Sequence, residues 1–171
     1  MKYPGVLIMD GSIRLTTGNF SAILSKALDN QGVLMFSGTG HSIYFATHPD
    51  MYDYFAVNVS LLKEVECLEA GIQLLYNTEY AYRTVLHWWY LCSLDPHCIA
   101  PENAKLGCTN QKVKFGDAYG DCHRLDQSAI NILAVANHGL DMDGYWYSNR
   151  QERVAAIKRG QGASVDIVHT C

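Results

Sequence analysis

The feature of this sequence that most restricts its fold is a cluster of cysteines. Four of the six, Cys92, Cys98, Cys108 and Cys122, fall in one segment without clear helical or strand periodicity. Their spacings of five, nine and thirteen intervening residues match no Cys-x-x-Cys zinc pattern. We therefore expect residues 92–122 to form a cysteine-rich loop in which at least two of the four are disulfide-bonded, with the pairing left open. Reduced structural thiols are an alternative, as is a Cys/His zinc site that uses His97 or His123.

Length and composition indicate one folded domain over residues 1–171. The chain is 49% hydrophobic and 18% charged, which permits a sizeable core. Its formal net charge of -4 and its pI near 5.9 argue against a nucleic-acid partner. No apolar run approaches the roughly 18 residues of a membrane span, so we expect no membrane segment in this chain.

Two Asn-x-Ser sequons support a luminal or extracellular location. They begin at Asn19 and Asn58, and each resembles an acceptor of N-linked glycans. Together with the expected disulfides they indicate the secretory pathway, with any signal or anchor lying outside this chain.

Short apolar runs alternate with helical stripes along the chain, a pattern typical of an α/β architecture. Val6–Met9 reads as a strand buried on both faces, whereas residues 20–28 carry a helical stripe. We also expect strands at 32–36, 43–46, 70–76 and 164–168, helices at 126–137 and 150–158, and a helix that Thr78 caps. Residues 38–40 read as a glycine-rich loop.

Asp10 is the first candidate for chemistry. It directly follows an apolar strand, and ligands of open α/β sheets bind beyond such strand ends. A carboxylate there could hold a divalent cation whose other ligands are phosphate oxygens. The alternative is structural, because Asp-Gly is a common turn pair.

The second candidate is the segment from Cys122 to Asn131. His123 and Arg124 precede a helix and could face a diphosphate. Gln127 and Asn131 lie one turn apart on an otherwise apolar helix and could bind sugar hydroxyls. Asp126 could take part in chemistry, or it could simply cap the helix.

A weaker candidate is the loop at Gly38–Ser42, in which His41 could line a donor site. The loop is not a P-loop, since no Gly-Lys-Ser/Thr follows. His48 lies within a capping sequence and reads as structural. Of the adjacent Trp88 and Trp89, we expect at least one in the core.

Several of these segments resemble an uncharacterised animal family with a glycosyltransferase-like domain. The similarity covers the segments Asp10–Arg14, Gly40–Ser42, Thr47–Tyr54, Trp89–Pro101 and Cys122–Asn131. The resemblance implies a GT-A-like (nucleotide-diphospho-sugar transferase) fold, of which this chain would be the C-terminal part, incomplete at its N-terminus. It also implies a nucleotide-sugar donor and a Mn²⁺ or Mg²⁺ ion held by Asp10, with His169 as a further ligand. Ser12 stands where a second Asp would complete the family's Asp-x-Asp metal motif, so metal dependence stays open.

The function implied by the resemblance is transfer of a sugar from a nucleotide diphosphate to a hydroxyl of a glycan or protein acceptor, in the Golgi lumen or outside the cell. Asp10 and Asp126 would be catalytic, with Asp126 as the base. His41, His123, Arg124, Gln127 and Asn131 would bind substrate. The alternative is a non-catalytic luminal or extracellular binding domain on the same scaffold.

Overall fold

The computed structural model describes residues 4–109, 112–147 and 155–157, and within them the chain is a mixture of short strands and helices. The strands are β1 (Gly5–Met9), β2 (Ile13–Leu15), β3 (Val33–Met35), β4 (Gly38–Ser42), β5 (Glu66–Leu68), β6 (Ile72–Tyr76) and β7 (Ala155–Ile157). The α-helices are α1 (Ser21–Asp29), α2 (Val59–Leu62), α3 (Glu79–Ala81), α4 (His87–Leu94), α5 (Pro96–Ile99) and α6 (Asp126–His138). Tyr44–Ala46, Pro49–Tyr54 and Met142–Gly144 form 3₁₀ turns, and a π-helix at Tyr82–Leu86 joins α3 to α4.

The largest sheet has three antiparallel strands in the order β1-β6-β3. β6 is its centre and is buried from Ile72 to Leu75. β1 lies at one edge of the sheet, and its Val6 and Ile8 side chains are 42% and 41% exposed. The expectation of a strand buried on both faces is therefore wrong. A continuous apolar run does not distinguish a central strand from an edge strand, because neighbouring strands decide the burial.

Helices cover both faces of this sheet. On one face, α1 inserts Ile23 and Ala27 against Leu34 and Leu74. On the other, α6 supplies the largest share of the core, since all its residues from Ser128 to Val135 are buried. Gly139 ends α6 with a φ of 61°, a conformation that glycine adopts without strain. The mixed α/β class expected from the sequence is thus confirmed.

The cysteine-rich segment contains two disulfides, Cys92–Cys98 and Cys108–Cys122. The expectation that at least two of these cysteines are bonded is confirmed, and an oxidising compartment follows from it. The segment is less irregular than expected, because it begins in the last turns of α4 and continues into α5. Cys67 has a free, buried thiol.

Five local expectations need correction or fall outside the described ranges. Residues 38–42, expected as a loop, form β4 and pair with β5, whereas 44–46 form a 3₁₀ turn rather than a strand. Residues 155–157, expected in a helix, pair with β2 as a strand. The strand expected at 164–168 and the candidate ligand His169 lie outside the described residues. Among the described helices, none has both the length and the apolarity needed to cross a membrane.

Candidate functional site

A polar cavity of about 430 Å³ opens where β1 ends, where β4 runs and where α6 begins. This volume lies within the range of roughly 300–1,000 Å³ that is usual for small-molecule sites. Its walls carry two acidic and three basic side chains together with hydroxyl and amide groups. The lining residues are Asp10, Ser12, Ile13, Gly38, Thr39, His41, Phe45, Glu69, Gly71, Cys108, Lys114, Arg124 and Gln127.

Asp10 reaches this cavity because main-chain pairing continues one residue beyond β1. Its N–H donates to the carbonyl of Gly71 at 2.8 Å. A Cβ on Gly71 would lie only 3.0 Å from Oδ2 of Asp10, so the glycine leaves room for the carboxylate. The sequence analysis placed Asp10 in a ligand site by the rule for strand ends in open α/β sheets. That rule does not apply here, because β1 belongs to an antiparallel sheet, but the Asp10 carboxylate still lines the cavity.

The turn into α6 presents two further polar side chains. Arg124 and Gln127 both line the cavity, and Arg124 is anchored through its main-chain N–H to the carbonyl of Ala46 at 3.1 Å. Between Arg124 and Asp126, Leu125 has a φ of 47° and a ψ of -120°. Such a conformation is strained for a residue with a side chain, and strained residues tend to cluster at functional sites.

Asp126 is the first residue of α6, not its N-cap, which is Leu125. Partial desolvation raises the pKa of the Asp126 carboxyl, and the negative charge of Asp10 raises it further, although a hydrogen bond from the Gln127 N–H opposes them. Asp126 is not among the residues that line the cavity, but its carboxylate interacts electrostatically with that of Asp10. The strand end and the helix start lie on the same side of the molecule.

Three basic side chains, those of His41, Lys114 and Arg124, line the same cavity. Burial lowers the pKa of His41, and the nearby charges of Arg124 and Lys114 also lower it, which favours a neutral imidazole. The Nδ1 of His41 lies 2.9 Å from the carbonyl oxygen of Ser42. Lys114 is positioned by a main-chain bond in which the Ser42 N–H donates to its carbonyl at 2.7 Å.

His123 and Asn131 are not among the residues that line the cavity. His123 is fully buried; its Nδ1 accepts from the N–H of His48 at 3.1 Å, and its Nε2 lies 3.0 Å from the carbonyl of Ile99. Burial lowers its pKa. Asn131 is also fully buried and bonds to both main-chain groups of Leu68 at 2.8 Å. Both side chains bind the main chain of the protein, so neither is retained below as a substrate ligand.

Three lining residues with polar or charged side chains, Lys114, Glu69 and Thr39, were not predicted as site residues. Lys114 lies in the cysteine-rich segment, where no periodicity indicates the direction of a side chain. Thr39 lies in the segment 38–42, which was read as a loop and forms β4, and Glu69 follows β5, a strand that the sequence analysis did not predict. His48, read as structural, does cap the turn at Pro49–Tyr54 by accepting from the N–H of Asp50 at 3.3 Å.

The comparisons with known proteins yield no relative: no family model matches the sequence, and no curated protein or solved structure matches the chain significantly. The cavity is therefore interpreted from its own residues.

Proposed function

We propose that this chain is a GT-A-like glycosyltransferase domain that transfers a sugar from a nucleotide diphosphate to a hydroxyl acceptor. The observation that carries the proposal is the composition of the cavity. Arg124 and Lys114 offer positive charge for a diphosphate, while Asp10 and Gln127 offer partners for hydroxyl groups. Asp126 does not line the cavity, but its carboxyl interacts electrostatically with that of Asp10. Asp10, Arg124 and Gln127 also lie in the segments whose sequence resembles a glycosyltransferase-like family, whereas Lys114 does not.

In the proposed reaction, an acceptor hydroxyl attacks the anomeric carbon of the donor sugar. The new bond joins the acceptor oxygen to that carbon, and the bond between the carbon and the diphosphate oxygen breaks. The Asp126 carboxylate takes the acceptor proton, for which a raised pKa is suitable. Arg124 and Lys114 stabilise the negative charge that develops on the leaving diphosphate.

A divalent cation, Mn²⁺ or Mg²⁺, fits the donors of the cavity. Such ions are commonly bound through one or two carboxylates plus substrate phosphates. Asp10 and Glu69 would supply the carboxylates, with the Ser12 hydroxyl where the family motif has its second Asp. When bound, the ion would neutralise charge on the diphosphate. In the described ranges, no group of three His, Cys, Asp or Glu side chains forms a metal site without substrate.

A second candidate is a binding domain without turnover, which Ser12 favours because it removes one carboxylate from the expected metal motif. Such a protein would bind a sugar nucleotide and release it unchanged. For either function, the disulfides and sequons support a location in the secretory pathway, and we propose the Golgi lumen or the cell exterior.

Isothermal titration with a panel of UDP- and GDP-sugars, with and without Mn²⁺, tests donor binding. We expect one donor to bind, and Arg124→Ala to weaken it by about 10-fold or more, as for loss of a charge-assisted contact. Asp29→Asn, on the exposed surface of α1, is the matched control and should leave binding unchanged. Absence of binding to every donor would refute both candidate functions.

A turnover assay then distinguishes the glycosyltransferase from the binding domain without turnover. We expect slow hydrolysis or transfer of the bound sugar by the wild type, and its loss in Asp126→Asn, which preserves the size of the side chain. Binding without any turnover by the wild type would favour the binding domain. Turnover that persists in Asp126→Asn would show that Asp126 is not the base.

A further inference from the structure

Two pockets that share Tyr54 lie outside the cavity described above and have none of its lining residues. The smaller one, of about 160 Å³, is bounded by aromatic and apolar side chains and one carboxylate. Its lining residues are Tyr54, Phe55, Trp88, Leu91, Asp95 and the Cys92–Cys98 disulfide. An aromatic wall beside a carboxylate is the chemistry that binds an ammonium or guanidinium group.

The neighbouring pocket, of about 360 Å³, is acidic. Asp50, Asp53 and Glu102 line it together with Tyr54 and His97. Partial desolvation and the negative charges of Asp95, Asp53 and Asp50 raise the pKa of the Tyr54 hydroxyl, so these carboxylates converge on the shared residue. Within the described ranges, the only ion-pair partner of these carboxylates is His48, whose Nδ1 lies 3.7 Å from Oδ2 of Asp50. No Lys or Arg of the described chain neutralises them.

Apolar side chains continue outward from the smaller pocket along α4. Trp88 is 49% exposed, Leu91 43% and Leu94 62%, and all three lie on the outward side of the helix. A contiguous exposed apolar patch next to charged groups is characteristic of a protein-interaction surface.

The local framework of this surface is held by several constraints. The Cys92–Cys98 disulfide joins α4 to α5. The Asp95 side chain caps α5 by accepting from the N–H of His97 at 2.9 Å, and His48 caps the 3₁₀ turn that carries Tyr54. A surface constrained in this way loses little conformational entropy when a partner binds.

We infer that this aromatic and acidic surface binds a segment of a partner polypeptide that carries Lys or Arg next to an apolar residue. A basic side chain would enter the pocket between Tyr54 and Trp88, and a second positive charge would lie over Asp50, Asp53 and Glu102. The smaller pocket falls below the roughly 300 Å³ at which small-molecule sites begin, so it fits one side chain rather than a free ligand. The charge favours a basic partner over a second copy of this chain, which has a net charge of -4.

A library of random short peptides displayed on phage, selected on the wild-type chain, tests the inference. Peptides that also bind Trp88→Ala are removed, and the enriched sequences are synthesised and titrated by fluorescence polarisation. We expect enrichment of Lys or Arg next to Leu, Phe or Trp. Trp88→Ala should weaken the synthesised peptides by about 10-fold or more, as for other interface tryptophans. The double variant Asp53→Asn/Glu102→Gln should also weaken binding and reduce its salt dependence.

Leu28→Ala is the matched control, because Leu28 is 53% exposed on α1 and lines neither pocket. Each variant is checked by thermal denaturation, and Trp88→Phe, which keeps an aromatic face, should retain part of the affinity if the fold is intact. The inference is overturned if no peptide is enriched, if the enriched peptides lack basic residues, or if they bind Trp88→Ala as tightly as the wild type. Concentration-dependent dimerisation of the wild type that Trp88→Ala abolishes would instead assign the surface to a second copy of the chain.

Discussion

Replacing Asn131 by alanine should destabilise the fold strongly. The Asn131 Oδ1 accepts from the N–H of Leu68, and its Nδ2 donates to the carbonyl oxygens of Leu68 and Gln127, all at 2.8 Å. The amide thus occupies the place that another strand would take beside β5. Both Asn131 and Leu68 are fully buried, so water does not replace the lost partners. Each buried group left unpaired costs about 1–3 kcal/mol, and we expect a total of about 3 kcal/mol.

For a domain of this size, such a loss lowers Tm by about 6–12 °C, since each kcal/mol corresponds to roughly 2–4 °C. Thermal denaturation followed by circular dichroism measures the change. Asn137→Ala is the matched control on the same helix. Asn137 also bonds to two carbonyl groups, those of Thr84 and Leu133, but it is only half-buried, and water can replace its amide. A Tm for Asn131→Ala within about 2 °C of the wild type would refute the structural role, given that scale of Tm change. Loss of donor affinity at unchanged Tm would restore Asn131 as a substrate ligand.

Four further predictions concern the Cys108–Cys122 disulfide, the Cys67 thiol, the Asp126 carboxyl and the sequons. Replacing Cys108 and Cys122 by serine should lower the free energy of unfolding by about 3 kcal/mol, the value expected for a disulfide between cysteines 14 residues apart, and denaturant unfolding measures this change. Burial raises the pKa of Cys67 to about 12, so its thiol should resist iodoacetamide in the native protein and react after unfolding, as read by mass spectrometry. If Asp126 is the base, turnover should fall as pH drops through its raised pKa, and therefore at a higher pH than for an ordinary carboxyl; a pH-rate profile measures this. Expression in a eukaryotic secretory host should give a mass that decreases on treatment with peptide N-glycosidase, because both sequon asparagines are exposed.

The sequence predicted the long, strongly patterned elements of the fold better than the short ones. α6 was expected at 126–137 and lies at Asp126–His138. The prediction succeeded because the apolar pattern of the helix and Gly139, which follows it, indicate the same C-terminal end. The run at 43–46 is too short for its apolar character to decide its conformation. Its hydrogen bonds are local: the Ala46 N–H donates to Ile43, and the Phe45 N–H donates to the Ser42 hydroxyl. These contacts favour a 3₁₀ turn over an extended strand.

The composition of the cavity was less predictable, because side chains from distant parts of the sequence form it. Asp10 and Arg124 could be identified from local patterns, a carboxylate after a strand and a cation before a helix. Lys114 has no such pattern. Its position depends on the hydrogen bond from the Ser42 N–H to the Lys114 carbonyl and on the disulfide between Cys108 and Cys122. The spacing of the cysteines did not predict which of them pair.

The polar residues of α6 have two roles, and their burial distinguishes them. The fully buried ones fix the helix to the rest of the fold, whereas the partly exposed one lines the cavity. Helical periodicity predicts that Gln127 and Asn131 share a face, but it does not predict how far along that face the protein surface lies. The side chains of Ser128 and Asn131 bond to the main chain at Ala46 and Leu68. The side chain of Gln127, one turn before Asn131, lines the cavity and donates to the sulfur of Cys67 at 3.3 Å. Ser128 and Asn131 therefore fix the start of α6 against the 3₁₀ turn at Tyr44–Ala46 and against β5. Substitutions at these two positions should alter stability first and ligand binding only through displacement of the helix, whereas Gln127→Ala should alter ligand binding at nearly constant Tm.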